Sequence, residues 1–565
     1  MKRKEEKVMI EVQKEIKQCD VLIVGGGIAG LMAAIAAADK GAKVIVAEKA
    51  DSRRSGSAAT GNDHFLCYIP EVHGSLDDYC KELSMSIVAD RCDPTLQRQV
   101  AARSFEVVQD WEKWGIEMRP HGDWEFNGHA LPGHIRIWLK YNGTQQKPIL
   151  TKEAKKRGVE IDNRSPISEF LTDDSGKIIG AVAIDVSEEQ PSVKLYQAKA
   201  IITATGIGMR LYPSITPGWL FNQCNCPAGT GAGRVAGYKV GASLCNIETG
   251  WTHAGPKQFE RCGKATWIGV LKDRQGKPVG PFVSKPTKEL GDITADIWQA
   301  VFVEKKENGT GPVFMDCTET APEDMEYMRW GLTCEGDTSL LDAMDKQGID
   351  LGEDMVEFCK YKPNLQGKGL EVDIHHATSV PGLYCAGDEA GNINGGIGGA
   401  AVTGRIAGEN AADYVKTIDG FVDISEHPAV KQAVAFYSEL MEREDGATWK
   451  ELNIASQQIL DDYAGITYVR SESMMKAGLT YLEQLEAAAK KSVKCSNAHE
   501  LMRALESFDL LEISKLVILS ALERKESRGM HRRSDYTFTN PLLNGKIVTI
   551  HQENGQPVTV MRDNY

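Results

Sequence analysis

Three glycines near the start of the chain have the spacing of a dinucleotide-binding turn. Gly25, Gly27 and Gly30 form the pattern G-x-G-x-x-G. In this pattern the first glycine permits a tight turn, the second lets the backbone approach a diphosphate, and the third lets a helix pack closely on a strand. Glu48 follows at about the 20-residue spacing at which a carboxylate accepts ribose hydroxyls and repels a 2′-phosphate. These residues predict that the chain binds the diphosphate of a dinucleotide.

A strand, a helix and a second strand must position these glycines. Val21–Val24 is a short β-branched apolar run, residues 31–41 are an alanine-rich stretch typical of a helix, and residues 44–50 read as the second strand. A helix that begins at the glycine turn directs its free N–H groups and partial positive charge at the diphosphate. A glycine turn of an unrelated sheet is the alternative, and the βαβ context argues against it. This context does not separate FAD from NAD.

Two later segments favour FAD. Ile202–Gly206 (ITATG) is predicted to be a strand that ends in Thr-Gly, and Gly382–Asp388 (GLYCAGD) a strand that ends in Gly-Asp. In two-part FAD folds the acid of the second strand reaches the ribityl and diphosphate region of the cofactor. Two ordinary buried strands are the alternative interpretation. The residues predicted to hold FAD are Gly25, Gly27, Ile28, Ala29, Gly30, Glu48, Lys49, Ser55, Gly56, Ser57, Thr60, Gly61, Asn62, Ala204, Thr205, Gly206, Gly387, Asp388, Gly399, Ala400 and Val402.

Composition narrows the class of protein. The 565 residues are 42% hydrophobic and 25% charged, which is typical of globular proteins and excludes global disorder. The formal charge of −14 argues against nucleic acid or an anionic membrane as the main partner. No apolar run approaches the about 20 residues of a spanning helix, and the charged N-terminus has no apolar signal core. We therefore expect a cytoplasmic protein with no direct membrane span.

The cysteines indicate how electrons move. The 13 cysteines are scattered without a C-x-x-C pair, which is typical of reduced thiols. No cysteine ladder for an iron–sulfur cluster is present in the sequence either. The histidines His121, His129 and His134 have spacings that fit no zinc pattern, so no metal site is predicted. Electrons that pass through this chain therefore need another carrier.

Motifs along nearly the whole chain resemble the flavoprotein family of succinate dehydrogenase, fumarate reductase, L-aspartate oxidase and the adenylylsulfate reductase α subunit. The resemblance implies an α/β fold with a Rossmann-like FAD-binding domain (GR2-type), an inserted α+β capping domain that closes over the flavin, and a C-terminal helical domain. The motifs that carry it are GGGIAG, RSGSAATG (Arg54–Gly61), GTGAGRVAGYKVGASLCNIE (Gly229–Glu248), GPVFMD (Gly311–Asp316), TSVPGLYCAGD (Thr378–Asp388), GGIGGAAVTGRIAGENAA (Gly395–Ala412) and ESRGMHRRSDY (Glu526–Tyr536).

Changes in sequence character suggest where these domains meet. The FAD-binding domain is expected in two segments, the first at residues 1–235 and the second at 355–420, with the capping domain between them at 236–354 and the C-terminal helical domain at 421–565. The capping segment is rich in loops, tryptophans and Gly-Pro breaks. The C-terminal segment contains long charged amphipathic stretches such as Leu479–Lys491.

Within the family, the adenylylsulfate reductase α branch is the most similar. Where covalent members have Ser-His near the flavin, this branch has Ser-Gly, and here the residues are Ser55 and Gly56. No histidine stands there to attack the flavin methyl group, so the resemblance implies FAD that is bound without a covalent link. Asn62 is expected to touch the flavin edge, whereas Asp63 and His64 fit either the flavin region or ordinary loop polarity.

The chain departs from the family at substrate-binding positions. The arginine with which fumarate reductases clamp a substrate carboxylate matches Gly396, and the histidine before the last flavin strand matches Asn364. The adenylylsulfate reductase histidine in the same glycine turn matches Asn394. Loss of the clamp removes a bidentate charge-assisted contact. These departures argue against fumarate, succinate or adenylylsulfate bound as in the family.

Other residues remain candidates for the chemistry. The HPTG-type histidine of the family has a counterpart in His253, and Arg261 is a candidate to replace the adenylylsulfate reductase arginine, which matches Gly255. Trp267 could stack on flavin or substrate, although tryptophans are more often core residues. Arg528 and His531 lie in ESRGMHRRSDY, whose cations suggest an anionic contact, and a solvated basic helix end is the alternative that stays open. The predicted catalytic set is therefore His253, Arg261, Trp267, Asn364, Asn394, Arg528 and His531.

These observations favour an FAD-dependent oxidoreductase subunit similar to the adenylylsulfate reductase α subunit. Because the chain lacks its own clusters, a ferredoxin-like iron–sulfur subunit is predicted to exchange electrons with it in a hetero-oligomer. The substrate is expected to be a small molecule, with an anionic one favoured by the basic segment. Two alternatives stay open: a self-sufficient dehydrogenase, oxidase or enoate reductase, and a non-catalytic flavin-binding relay.

Overall fold

Short β-branched runs and longer amphipathic runs alternate along the chain, and a computed structural model shows them as strands and helices. The structure describes residues 10–86, 91–128, 133–215, 220–260, 266–298, 300–465 and 470–564. In these residues the strands are β1 (Glu11–Val24), β2 (Val44–Glu48), β3 (His64–Leu66), β4 (Trp138–Lys140), β5 (Glu160–Asn163), β6 (Ile167–Thr172), β7 (Ile178–Asp185), β8 (Ser192–Thr203), β9 (Leu244–Cys245), β10 (Ala254–Pro256), β11 (Val270–Lys272), β12 (Val313–Asp316), β13 (Val356–Lys360), β14 (Gly369–Leu370), β15 (Leu383–Cys385), β16 (Lys546–Glu553) and β17 (Gln556–Asp563).

The helices separate these strands. They are α1 (Ile28–Asp39), α2 (Pro70–His73), α3 (Leu76–Met85), α4 (Pro94–Trp114), α5 (Gln146–Lys156), α6 (Ala232–Lys239), α7 (Thr294–Ile297), α8 (Val301–Glu307), α9 (Pro322–Cys334), α10 (Thr338–Gln347), α11 (Gly396–Val415), α12 (Pro428–Glu442), α13 (Trp449–Ala464), α14 (Glu472–Ser492) and α15 (Ala498–Glu523). No helix among the described residues has an apolar stretch long enough to cross a lipid bilayer.

A seven-stranded sheet brings distant segments to one edge. Its order is β5-β2-β1-β8-β7-β6, and β15 pairs with β8. Strand β1 is parallel to β2 and β8, with Val24 opposite Ala47 and Thr203, and Thr203 is also opposite Cys385. The carboxyl ends of β1, β2, β8 and β15 therefore meet. In open α/β sheets this edge is where ligands bind.

Helices α1 and α11 cover one face of this sheet through unusually close contact. A side chain on Gly404 or Gly408 of α11 would overlap the backbone of Ala29 or Ala33 of α1. Small residues at these positions let the two helices approach each other until their backbones touch. Because α1 begins at the glycine turn, this packing fixes the direction in which the turn faces.

The capping domain is a separate layer with its own core. Four antiparallel strands in the order β10-β13-β12-β11 pack apolar side chains against α8, α9 and α10. The chain enters this layer at Trp251 and leaves it at Asn364. The backbones of these two residues are joined by paired hydrogen bonds of 2.7 and 2.8 Å. This pair of bonds joins the two crossing strands at the junction of the layers.

The C-terminal part is helical, as expected, with helices α12 to α15, and then returns to the first layer. Strands β16 and β17 form a hairpin that extends a sheet in the order β14-β9-β16-β17. Helices alone were expected for this region. The hairpin has a local signal, since Asn554 and Gly555 stand between two alternating apolar runs, which is a strong pattern for a two-residue turn.

Candidate functional site

The glycine turn leaves an open space above the N-terminus of α1. Gly25 has a φ of +101°, and a Cβ there would lie 2.6 Å from the Ala204 carbonyl oxygen. A Cβ on Gly30 would overlap the carbonyl oxygen of Gly25. At Gly27, by contrast, the nearest protein atom to an added Cβ is 4.0 Å away. Gly25 and Gly30 are therefore required by the protein itself, while the room at Gly27 is available to a ligand.

A cavity of about 450 Å³ begins at this turn and continues along the carboxyl edge of the sheet. Its size lies within the usual range for pockets that bind small molecules and cofactors, about 300–1,000 Å³. The predicted cofactor residues that line it are Gly27, Ile28, Ala29, Glu48, Lys49, Ser55, Gly56, Ser57, Ala204, Thr205, Gly206, Gly387, Asp388 and Ala400. The predicted residues that do not line it are Gly25, Gly30, Thr60, Gly61, Asn62, Gly399 and Val402.

Glu48 is held in place at the end of β2. Its two carboxylate oxygens accept hydrogen bonds from the backbone N–H of Gly26 at 2.6 Å and of Ala50 at 2.7 Å. The side chain is 6% exposed and borders the cavity. Each carboxylate oxygen has a further lone pair, so the group can still accept the hydroxyls of a ribose.

Lys147, which sequence analysis missed, is buried beneath the glycine turn. This residue of α5 is fully buried, and its ammonium donates to the carbonyl oxygen of Gly26. Burial lowers the pKa of Lys147 to about 8, although the charges of Glu48 and Asp51 oppose the shift. The ammonium group therefore contacts the peptide group of Gly26, in the glycine turn where a diphosphate would bind.

The buried position of Lys147 makes a pH-dependent prediction. A diphosphate should favour the ammonium form, so wild-type FAD affinity is expected to fall as the pH rises from about 7 to above the folded pKa of about 8. Lys147→Met is expected to bind FAD about tenfold more weakly at pH 7, or about 1.4 kcal/mol, and to lose this pH dependence. Fluorescence titration of apoprotein with FAD measures both effects, and an unchanged pH slope in the variant would refute the assignment.

Two hydroxyl groups on the cavity wall are buried without a hydrogen-bond partner among the described residues. They are the side-chain oxygens of Ser55 and Thr230. Both residues line the cavity. Buried hydroxyls are rarely left without partners in native proteins. Together with the open space above Gly27, they fit a polar, elongated cofactor such as FAD.

Arg234 ties three parts of the cavity wall together. This fully buried residue of α6 donates to the carbonyl oxygens of Lys368 at 2.8 Å, Gly206 at 2.8 Å, and Leu365 and Asp388 at 2.7 Å. Burial raises the pKa of Asp388 to about 6, and the charge of Arg234 opposes this shift. The guanidinium thus holds residues 365–368 and Asp388 against Gly206, which follows the end of β8.

The far end of the cavity is closed by segments that are distant in sequence. Its apolar lining consists of Ile167 and Ile184 from the β6–β7 hairpin, Phe436 from α12, and Met502, Leu505 and Phe508 from α15. Glu506 of α15 also binds Lys49 at 2.6 Å and Arg210 at 2.6 Å. No local signal marks these helices as part of the site, since their apolar faces resemble those of any packed helix.

The structure brings three of the predicted catalytic residues together. His253 accepts a hydrogen bond at Nε2 from the indole of Trp251, at 3.0 Å, and the same nitrogen lies 3.3 Å from the amide oxygen of Gln366. Asn364 accepts from the backbone N–H of Gln366 at 3.0 Å, and its amide donates to Cys224 Sγ at 3.6 Å.

Asn394 lies on the other side of this group. A Cβ on Gly367 would come within 2.8 Å of the Asn394 Cβ. The backbone N–H of Gly367 donates to Asp388, a residue of the cavity wall, at 2.9 Å. His253, Asn364 and Asn394 therefore form one polar group beside the cavity, and Gln366 is the member that sequence analysis missed.

Two other candidates lie in different surroundings. Trp267 is 2% exposed in the core of the capping domain, with its ring 5.1 Å from that of Phe358 in an edge-to-face contact. Arg528 makes a double ion pair with Glu526 at 2.8 and 3.0 Å. Arg261, like His129, lies outside the described residues.

His531 is held neutral in a buried network. Its Nδ1 accepts from Arg470 at 2.8 Å, so Nε2 carries the proton and donates to the Arg524 carbonyl oxygen at 2.9 Å. Burial and the charge of Arg470 lower the pKa of His531 well below its ordinary value. In this structure the ring fastens the C-terminal segment to the end of α15.

Comparisons with known proteins agree with this geometry. Residues 20–403 match the family model described as FAD binding domain, and residues 455–559 match the one described as fumarate reductase flavoprotein C-term. A fumarate reductase (CoM/CoB) subunit of Methanothermobacter marburgensis is 24% identical over 581 residues, which cover 95% of this chain and 99% of that protein.

Solved structures show the same fold. Adenylylsulfate reductase from Archaeoglobus fulgidus superposes with a TM-score of 0.84 at 22% identity, covering 99% of this chain and 98% of that one. A quinol fumarate reductase chain of E. coli gives a TM-score of 0.80 at 21% identity, with 97% of each chain covered. The predicted fold class is therefore confirmed.

Proposed function

Because this chain belongs to the FAD binding domain family of flavoproteins, we propose that it is the catalytic subunit of a complex that transfers electrons between a small molecule and an iron–sulfur partner. The chain is an FAD-dependent oxidoreductase. The observation that carries the proposal is the cavity along the carboxyl edge of the sheet, with its unpartnered hydroxyls, next to the polar group around His253.

FAD, when bound, supplies the redox chemistry, since a flavin exchanges two electrons with a substrate and one at a time with a metal cluster. The residues of this chain do the rest. We assign Glu48 to the adenosine ribose and the free N–H groups at the start of α1 to the diphosphate. Asp388 and the hydroxyl of Thr205 are assigned to the ribityl side of the cofactor.

We place the substrate beside His253, Gln366, Asn364 and Asn394. Only His253 in this group can exchange a proton near neutral pH, so it is assigned the proton transfer, while the three amides orient the substrate. In the family resemblance, Gly396 and Asn364 match the positions of the arginine clamp and the histidine of fumarate reductases. The proposed substrate is therefore a small molecule that is bound differently from fumarate. The proposed domain division, at residues 1–235, 236–354, 355–420 and 421–565, places this group where the capping domain meets the FAD-binding domain.

The mode of FAD attachment gives a direct test. Ser55 and Gly56 line the cavity, and no histidine is among the described residues that line it. Acid precipitation of the purified yellow protein is therefore expected to release about one FAD per chain into the supernatant, since no covalent bond holds it. Absorbance of the supernatant and of the redissolved pellet measures the two fractions. Yellow colour that stays in the pellet would contradict non-covalent binding, and colourless protein that takes up no FAD would contradict the function.

The predicted partner is tested in the same preparation. We expect a cysteine-rich ferredoxin-like subunit to copurify with the chain. This subunit should give a brown colour and be reduced through the flavin. The self-sufficient alternative has support in the L-aspartate oxidase relatives, which are 23% identical over 563 residues. Anaerobic reoxidation of the reduced flavin with a panel of activated alkenes and sulfur oxyanions distinguishes substrates. Fast turnover with fumarate would show that the interpretation of Gly396 and Asn364 is wrong.

A further inference from the structure

Asp63, His64 and Glu335 form a partly buried cluster that the proposed function does not use, with the His64 side chain 22% exposed. His64 Nδ1 lies 2.5 Å from Asp63 Oδ1 and 3.3 Å from Glu335 Oε1. The side chain of Asp63 is fully buried, and that of Glu335 is 7% exposed. Both neighbours of Nδ1 are carboxylate oxygens, which can only accept when ionised, so this nitrogen carries a proton.

The second oxygen of Asp63 is also fixed. Asp63 Oδ2 accepts from the Lys140 ammonium at 2.7 Å and from the Thr266 hydroxyl at 3.1 Å. The carboxylate therefore cannot turn away from His64. When Asp63 and Glu335 are both ionised, the charges of Lys140 and a protonated His64 balance theirs, and a protonated Glu335 can still accept the hydrogen bond from His64 through its carbonyl oxygen.

The cluster joins two layers of the protein beside the cavity. Asp63 and His64 follow the segment that lines the cavity from Arg54 to Ala59. Glu335 and Thr266 belong to the capping layer, where Glu335 directly follows α9. The backbones also meet here. A Cβ on Gly61 would overlap the Cys334 carbonyl oxygen, and Thr60 Oγ1 donates to the Glu335 carbonyl oxygen at 3.2 Å.

The spacing of the cluster fits a shared proton better than a metal ion. Two ligand atoms on a tetrahedral zinc, each about 2.0–2.2 Å from the ion, lie about 3.3 Å from each other. His64 Nδ1 and Asp63 Oδ1 are only 2.5 Å apart, which is shorter than the usual N⁺–H···O⁻ hydrogen bond of about 2.7–2.9 Å and too close for two zinc ligands. The arrangement therefore fits a shared proton between these atoms better than a bridging cation.

We propose that His64 is a positioning residue that, as an imidazolium shared by Asp63 and Glu335, fastens the end of capping helix α9 to the flavin-binding segment. The anchored segment includes Thr60, Gly61 and Asn62 and continues from the cavity-lining residues Arg54–Ala59, so the position of the capping layer relative to this segment depends on the charge of one ring. This inference relies on the proposed function only for the location of the flavin, and its test needs no substrate.

We call the contact of His64 with Asp63 and Glu335 the anchor. The charges around His64 set the pH at which this contact is lost. Burial opposes the imidazolium, but the charge of Asp63 and the hydrogen bonds to Asp63 and Glu335 raise the pKa of His64 to about 9. Burial and the charge of Asp63 raise the pKa of Glu335 to about 7. The other titratable groups around the cluster are Lys140 of β4, Tyr141 after it, Tyr327 and Cys334 of α9, and Glu117.

The raised pKa values of His64 and Glu335 change the stability of the folded protein in the same direction as the pH rises. A group with a raised folded pKa contributes stability that is complete below its unfolded pKa and is lost as the pH rises through the folded value. For His64 this window runs from about 6.5 to about 9. The anchor should therefore be closed near pH 6.5 and open progressively above it.

Hydrogen–deuterium exchange of the FAD-bound enzyme tests this. After correction for the intrinsic pH dependence, peptides that cover residues 58–66 and 331–338 are expected to exchange at least about tenfold faster at pH 9.5 than at pH 6.5. His64→Gln, which can donate a hydrogen bond but carries no charge, should exchange fast at both pH values. Glu335→Gln should keep the transition but shift it to lower pH, because His64 loses one of its two carboxylates.

A matched control is His551→Gln, which removes a ring from a histidine–glutamate pair with Glu553, at 3.0 Å, on the distant strand β16. This control should exchange like the wild type in both peptides. If H64Q exchanges at the wild-type rate in both peptides at both pH values, the proposal is overturned. Metal analysis provides a second check. If the wild type holds one equivalent of a divalent metal and H64Q does not, the cluster is a metal site and the proposal is overturned. FAD content, measured separately, reports on the proposed function.

Discussion

Gly27→Ala is expected to leave the apoprotein folded and to abolish retention of FAD. The residue has a φ of −72° and a ψ of −172°, which alanine adopts readily, and no protein atom lies closer than 4.0 Å to the added Cβ. The loss of a favourable helix N-cap should cost no more than about 1 kcal/mol. The methyl group, however, occupies the space through which a diphosphate approaches the backbone.

The expected size is a loss of FAD affinity of at least about 100-fold, or about 2.7 kcal/mol. Flavin absorbance per chain after gel filtration, together with the dissociation constant from fluorescence titration, measures it. Gly30→Ala provides the contrast, because its Cβ would overlap the Gly25 carbonyl oxygen within the protein itself. That variant should lose thermal stability as well as FAD, by about 3 kcal/mol for an overpacked site.

Gly291→Ala serves as the control for both, since it lies in the capping layer and its Cβ would be 3.8 Å from the nearest neighbouring atom, the Trp267 carbonyl oxygen. It should bind FAD like the wild type. Full FAD occupancy in Gly27→Ala would show that the diphosphate does not cross this turn, and the assignment of the cavity would then be wrong.

Arg234→Met is expected to destabilise the whole FAD-binding layer. Four carbonyl oxygens around the guanidinium would lose their donor, and Glu389 would lose the nearby positive charge that helps to offset its burial. Removal of one partner from a buried charged network typically costs about 3–5 kcal/mol. For a layer of this size, a decrease of at least about 6 °C in the temperature of flavin release is expected, using about 2–4 °C per kcal/mol.

Arg234→Lys should recover only part of this loss, because an ammonium cannot reach the same four carbonyl oxygens in one plane. Arg98→Met is the matched control, since Arg98 forms a surface ion pair with Asp77 and its side chain is 50% exposed. Differential scanning fluorimetry that follows the flavin signal compares the three variants. Equal release temperatures for Arg234→Met and Arg98→Met would show that the four carbonyl contacts contribute nothing to the cavity wall.

The parts of the site that could be predicted are those that depend on neighbours in the chain. The spacing of Gly25, Gly27 and Gly30 between a strand and a helix specifies a turn, and Glu48 ends the next strand. The later Thr-Gly and Gly-Asp segments were predicted in the same way, and parallel pairing to β8 brings them to the same edge. Most of these residues line the cavity because a parallel sheet aligns the carboxyl ends of its strands.

The residues that were missed act through contacts with distant parts of the chain. Lys147 lies under the glycine turn because α5 packs on α1, and its sequence neighbourhood is an ordinary amphipathic helix. The same holds for Met502, Leu505 and Phe508 of α15, which close the far end of the cavity. Gln366 comes to lie beside His253 and Asn364 only after the chain has passed through the entire capping layer.

The order of residues was sufficient to specify the cofactor class, the strand–turn–helix that receives the diphosphate and the family, because each depends on local geometry or on motif spacing. The surroundings of single side chains depended on folding. His531 and His253 look alike as sequence candidates, yet folding places one ring between Arg470 and a carbonyl oxygen and the other beside the cavity wall. Burial and neighbouring charges determine the protonation of a histidine, and both arise from contacts that form only when distant segments pack together.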